Sequence, residues 1–348
     1  MKPSPSPRGR NRRTSQDAGF SLPELLISVT ILMIISSAVT SALLQMTNSQ
    51  QTIWNRTQLH AGVRSVTELL QQEVGQAGRI ALPVLSSSPD TTQWRLAAAV
   101  AVGSQTVGVE VGSPTVAYAT PATMSGFFVG EQLVVDVGGP NPCVPTTPCQ
   151  ETVTVTAVNT GTKQVTATFA YPHLVSMTVN VLGGFATGIV PPSPGYTNGS
   201  LGTKLKLIGD LNGDGNMVYV EYTCDPAPGT GNLYRNVMPY DQTTAKLAPT
   251  SSQVLLTGLQ ANPGGTACFT YMPSPLPIVG TNTYVLDVAI TLTVQTQKID
   301  PITRNYQLET KALLNVSPRN VFNVWQMASA SVPGRVQPIP PTVAALLP

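Results

Sequence analysis

"DAGFSLPELLISVTILMIISSAVTSALL", residues 17–44, decides the architecture. From Leu25 to Leu44 the stretch holds no charged side chain, and that length of helix at about 1.5 Å per residue matches the roughly 30 Å hydrocarbon core of a bilayer. Glu24 stands alone at its mouth. A carboxylate at that depth is costly unless an opposite charge meets it, so Glu24 reads as a functional residue that needs a partner. The basic residues lie upstream. Lys2, Arg8, Arg10, Arg12 and Arg13 against Asp17 give the first 19 residues +4, so with a net charge of +2 everything after Gly19 carries +2 less +4, or −2. The positive-inside rule holds the basic segment in the cytoplasm and sends the C-terminal bulk across the membrane. The chain beyond the basic segment has no electrostatic footprint for nucleic acid, and no such partner is expected.

Beyond Leu44 the helical pattern continues. Leu59, Val63, Val66, Leu70 and Val74 recur at helical spacing with Gln, Arg and Glu between them, an amphipathic stripe that lies on a folded domain. Gly75, Gly78 and Pro83 mark its end. The pattern predicts one helix from about Leu22 to Gln76, roughly 80 Å long. After Pro83 the period changes to two. "VTVTAVN", "QVTATFA", "KLKLIG", "MVYVEY", "QVLLTGL" and "YVLDVAITLTVQT" place β-branched and aromatic residues between Gly, Pro and Asn turns, which predicts a mostly antiparallel sheet. One long helix and then many strands is α+β.

The run "GFSLPELL", Gly19–Leu26, preceded by a basic leader and continued by the apolar span, resembles the cleavage and methylation motif of type IV prepilins and of their relatives, the type II secretion pseudopilins. The resemblance implies a pilin-like fold, a prepilin peptidase cutting between Gly19 and Phe20, methylation of the new Phe20 amine, and Glu24 as an assembly residue that meets the N-terminal amine of a neighbouring subunit. In a low-dielectric bundle such a pair is far stronger than in water. Pro23 is tolerated in the first helical turn, where its missing N–H would have had no partner. The partners implied are the peptidase, other major and minor pilins, and the inner membrane. The protein is expected to cross that membrane once, with its head in the periplasm, and then to join an extracellular pilus. From Leu201 onward the order of elements, with "EYTCD", "GNLYRNV", "VLLTGLQA", "CFTYM" and "SPRNV", resembles the C-terminal half of PilW-like minor pilins.

The expected organisation is a leader at 1–19, a long helix at 20–79 with its span at about 25–44, an inserted β-rich module and linker at 80–200, a pilin-like sheet domain at 201–331, and a Pro-rich tail at 332–348. The inserted module reads as a compact barrel or sandwich. "PPSPGYTNGS", residues 191–200, reads as a linker, and "VPGRVQPIPPTVAALLP" as a poorly ordered tail. Three functions are expected, in order of preference: a minor pilin near the tip of a type IV pilus, a type II secretion pseudopilin, and a membrane-anchored β module for adhesion or binding.

Four cysteines come after the span, in a compartment where disulfides persist, and three pairings are open. The pairs Cys143–Cys149 and Cys224–Cys268 are favoured: the first two bracket "VPTTP", and the second two lie in strands that would be neighbours in a pilin-like sheet. "DLNGDGNMVYVE", residues 210–221, places Asp210, Asn212, Asp214 and Glu221 at the ligand positions of a twelve-residue Ca²⁺ loop. The strands on either side favour a polar hairpin turn instead, so calcium would be held through Asp210, Asn212 and Asp214 with backbone carbonyls, if at all. No catalytic motif is present, only His60 and His173 supply imidazoles, and no enzymatic activity is expected.

Overall fold

The computed structural model describes residues 21–139, 149–192, 196–240 and 253–347. Its first element is the helix α1, Leu22–Gln76. The chain divides into two compact units, one holding the residues up to Trp54 with Asp300–Arg304, the other holding Asn55–Ile299 and Asn305–Pro348.

In the first unit, residues 21–51 are exposed along their whole length. The hydroxyls of Ser28, Thr30, Thr40 and Thr47 donate to the carbonyls of Glu24, Leu26, Ser36 and Leu43 at 2.7–2.9 Å. Each of these hydroxyls thus satisfies itself within the helix, which lowers the cost of placing it in lipid or against another helix. The turn Asp300–Arg304 is tied to this helix by a hydrogen bond from Thr52 Oγ1 to Asp300 Oδ1 at 2.8 Å.

The second unit begins with the amphipathic part of α1. Val63, Val66, Leu70 and Val74 are buried, and Leu59 packs against them. They lie on an antiparallel sheet formed by the later strands, and the earlier strands form a separate module. That module contains β1 Gln93–Leu96, β2 Gly103–Ser113, β3 Val116–Ala119, β4 Gln132–Val135, β5 Glu151–Asn159, β6 Gln164–Phe169 and β7 Thr178–Val181. Their order is β1-β7-β4-β5-β6-β2, and β1 pairs with β2 to close the ring, with β3 added on β2. All pairs are antiparallel, so the inserted module is a barrel. Closure removes the exposed edges that an open sheet of this size would present. Alternation fills it: Val153 and Val155 point inward while Thr152, Thr154 and Thr156 face solvent. Trp94 and Phe127 meet edge to face with centroids 5.1 Å apart, and the Trp94 indole donates to Pro83 O at 3.0 Å.

After the short β8, Gly184–Phe185, the large sheet is made of β9 Lys204–Gly209, β10 Val218–Asp225, β11 Gly231–Pro239, β12 Val254–Gln260, β13 Phe269–Met272, β16 Asp287–Gln295 and β17 Leu308–Val316, with a small hairpin of β14 Ile278–Val279 and β15 Asn282–Thr283. The strands run β9-β10-β11-β12-β16, with β13 also on β16 and β17 on its far side. Leu205, Leu207, Val220, Tyr222, Leu233, Leu259, Ile290 and Leu292 complete the core under α1. Helix α2, Arg319–Ser329, buries Val321 and Val324.

Gly78 turns the chain out of α1 with φ +84°, a conformation that favours glycine, and a Cβ there would lie 2.9 Å from Val321 Cγ2. Its N–H donates to Ile208 O at 2.8 Å, so the end of the helix is tied directly to β9.

Two segments differ from the sequence expectation. The last residue of the linker is bound to β9, where Lys206 N donates to Ser200 Oγ at 3.2 Å, and the segment just before the linker runs along the same strand, with Val190 N donating to Lys206 O at 3.0 Å and Ile208 N to Gly188 O at 2.8 Å. The Pro-rich tail is ordered through residue 347. Its strand β18, Val336–Gln337, pairs parallel with β8, and its helix α3, Pro341–Ala344, carries Val343 into a core with Phe128, Phe185, Ile208, Tyr219, Met238 and Tyr240, joined by Leu347. The Gln337 amide donates to Gln132 O and Leu182 O and accepts from Gln132 N, at 2.9–3.0 Å. Tail composition suggested too little apolar area to order the chain, yet Val343, Leu346 and Leu347 suffice because proline has little backbone freedom to lose. The tail therefore wedges the barrel against the sheet.

Candidate functional site

The entrance of α1 is the candidate assembly site. Pro23 sits in the first turn, and the backbone N–H groups of Glu24 and Leu25 both donate to Ser21 O at 3.0 Å. Glu24 is exposed in that turn, where the positive end of the helix dipole favours a carboxylate. Leu25, Leu26, Ile27, Ile31, Leu32 and Met33 around it are all more than half exposed. Nothing among the described residues hides this segment from a bilayer or a second helix. Glu24 is the only charged residue from Phe20 to Asn55, so it is the one point at which such an environment demands a counter-charge. Gly19 and Phe20 lie outside the described residues.

The acidic loop is a closed turn, in which Asp210 accepts backbone amides of the loop. Asp210 has no exposed side-chain surface; its carboxylate accepts the N–H groups of Asp214 at 3.1 Å and Gly215 at 3.3 Å, and Arg79 Nε lies 3.4 Å away. Burial raises the Asp210 pKa, against the opposing pull of Arg79 and the Gly215 amide. Asp214 accepts from Asn216 N at 2.9 Å, while Asn212 is exposed. Glu221 sits within β10, opposite Lys206 on β9. It accepts from Tyr219 Oη at 2.9 Å and Lys204 Nζ at 3.2 Å, with Lys206 Nζ 3.8 Å away. Burial alone would raise the Glu221 pKa, but the two lysines and the Tyr219 hydroxyl bring it below the ordinary carboxylate value. The four ligand candidates are therefore split between a turn and a strand. Among the described residues no three His, Cys, Asp or Glu side chains form a group suited to a metal ion.

Sequence reasoning missed the polar anchor of the helix. Glu73 on α1 is 1% exposed; Tyr222 Oη donates to it at 2.5 Å, and Arg235 reaches it through Nε at 3.2 Å and through a second, Nη2 contact. Burial, and then the neighbouring carboxylate, push the Tyr222 pKa far up, so the hydroxyl remains a donor. The stripe runs through Leu70 and Val74 without a gap, so nothing in its pattern signalled the buried carboxylate beside it. His173 is likewise buried, with Nε2 2.8 Å from Glu151 Oε1 and Nδ1 3.9 Å from Asp136 Oδ2. It ties the barrel end together and is closed to substrate.

Cys224 and Cys268 form a disulfide between the end of β10 and the approach to β13. Cys149 is buried, and Cys143 lies outside the described residues.

Among the described residues one helix, α1, is long and apolar enough to cross a membrane. No curated protein and no solved structure matches this chain. One family model does, over residues 14–40, and it is described as the prokaryotic N-terminal methylation motif. The matched segment contains the Gly19–Phe20 junction, Glu24 and most of the apolar run, so this chain carries the prepilin-type N-terminal motif of type IV pilin-like proteins.

Proposed function

We propose that this protein is a minor pilin, a structural subunit held in the inner membrane by α1 with its head in the periplasm, and inserted near the tip of a type IV pilus after cleavage between Gly19 and Phe20. The observation that carries the reading is the exposed apolar half of α1, with Glu24 as its single charge, which begins inside the matched motif and continues beyond it. In this reading the new, methylated Phe20 amine of one subunit pairs with Glu24 of another. The tip position is supported by the bulk of the head, since a barrel added to the sheet suits a place with few lateral neighbours.

The test is the N-terminal mass of the protein from membranes of cells with and without prepilin peptidase, and then Glu24→Ala in sheared fibres. The reading predicts a peptidase-dependent N-terminus at methylated Phe20, loss of the variant from fibres, and label for the wild type at fibre ends. An intact leader in both strains would overturn it. Correct processing with absence from fibres would move the protein to the secretion pseudopilins.

A further inference from the structure

We infer that the turn Asp300–Arg304, together with Ile53 and Trp54, forms an apolar collar around α1 that seats on the anionic headgroup surface of the bilayer; this rests on the reading of α1 as a membrane span. All of these residues belong to the first unit. The turn is built to project its tip. Asp300 is 1% exposed and accepts from Thr52 Oγ1 and from Ile302 N, both at 2.8 Å, while Arg304 N donates to Asp300 O at 2.8 Å. With its acidic residue turned inward, the turn presents Ile302, 60% exposed, beside an exposed Arg304.

Thr52, Ile53 and Trp54 point about 100° apart around a helix. The turn docks at Thr52, and Ile53 and Trp54 are 63% and 70% exposed, so at one level apolar groups leave the helix on three sides. A helix packed on a domain needs an apolar stripe on one side only. A helix crossing a flat boundary meets the same medium all round, and tryptophan is the residue most suited to that boundary.

The height and charge fit as well. Thr52 lies eight residues beyond Leu44, about 12 Å along the axis, and tilts of up to roughly 40° shorten this. Helical side chains lean toward the N-terminus, which carries the Trp54 ring back toward the lipid. Lys298 precedes the turn and Arg56 comes after Trp54, so the exposed charges bordering the collar in sequence are cationic, complementary to an anionic lipid surface.

The experiment uses the full chain in vesicles of phosphatidylethanolamine and phosphatidylglycerol, with and without lipids brominated near the headgroup. A fluorophore sensitive to polarity is placed on Ile302→Cys, and Trp54 quenching is read as the part of the tryptophan signal lost in Trp54→Phe. Quenching at both positions by shallow bromines, at least twofold weaker in vesicles of neutral lipid, is the expected result. Emission at position 302 unchanged by the lipid, in protein that resists carbonate extraction, would overturn the collar and leave the span intact. Protein extracted by carbonate would overturn the span and the collar with it. Shielding of position 302 only in purified fibres would assign the collar to a neighbouring subunit and overturn the lipid contact.

Discussion

Glu73→Ala should loosen the grip of the head on its helix. The carboxylate is 1% exposed and holds the Tyr222 hydroxyl and the Arg235 guanidinium together. Truncation leaves a buried hydroxyl without its acceptor and a guanidinium, whose side chain is only 21% exposed, without its counter-charge. Breaking a buried pair from one side costs about 3–5 kcal/mol, because the remaining charge stays desolvated. In a domain of this size 1 kcal/mol moves Tm by about 2–4 °C, so the expected loss is roughly 6–20 °C. The assay is thermal unfolding of the full chain in detergent, monitored by near-ultraviolet circular dichroism. The long helix would retain its far-ultraviolet signal while tertiary signal is lost. Tyr222→Phe should cost only about 1 kcal/mol, since the carboxylate keeps Arg235. Glu73→Ala with Arg235→Ala should be less damaging than the two single losses added together. A Glu73→Ala protein within about 1 kcal/mol of the wild type, or strictly additive losses, would refute the claim that this network anchors the helix.

The same structure carries four further expected outcomes. Cys224→Ser, or reduction, releases a cross-link across a sequence separation of 44 and should cost about 4 kcal/mol by the loop-closure relation, read as a lower denaturant midpoint. Burial raises the Glu131 pKa well above its ordinary 4.5, so the folded state holds this proton more tightly than the unfolded chain; stability from this group is full below about pH 4.5 and falls as pH rises toward the folded value. Glu131→Gln should therefore raise Tm at neutral pH and make no difference in acid, as a pH series of melting curves would show. Truncation after Pro340 removes Val343 and Leu347 from the junction core and should cost several kcal/mol, with early proteolysis between barrel and sheet as the readout. Millimolar calcium should leave Tm unchanged, because Arg79 and backbone amides already serve the Asp210 carboxylate; a rise abolished by Asp214→Ala would contradict this.

The sequence by itself determined the helix, its bounds and the alternation of the strands. Leu22–Gln76 was readable because an uncharged run and a 3.6-residue stripe are local patterns, and Gly78 ends them with a conformation that favours glycine. The prepilin-type junction was also local, a short order of Gly, Phe, Glu and apolar residues. Tertiary structure alone decided what depends on residues far apart in the chain. Barrel closure came from β1 meeting β2 as well as β7, which strand patterns cannot specify. Asp210 has the spacing of a ligand, and only the fold brings Arg79, more than a hundred residues earlier, to supply its counter-charge. Glu73 lies beside an unbroken apolar stripe, and only Tyr222 and Arg235 explain why a charge is held there. The tail reads as unstructured because its few apolar residues cannot form a core among themselves; they become one where the barrel and the sheet already offer the other half.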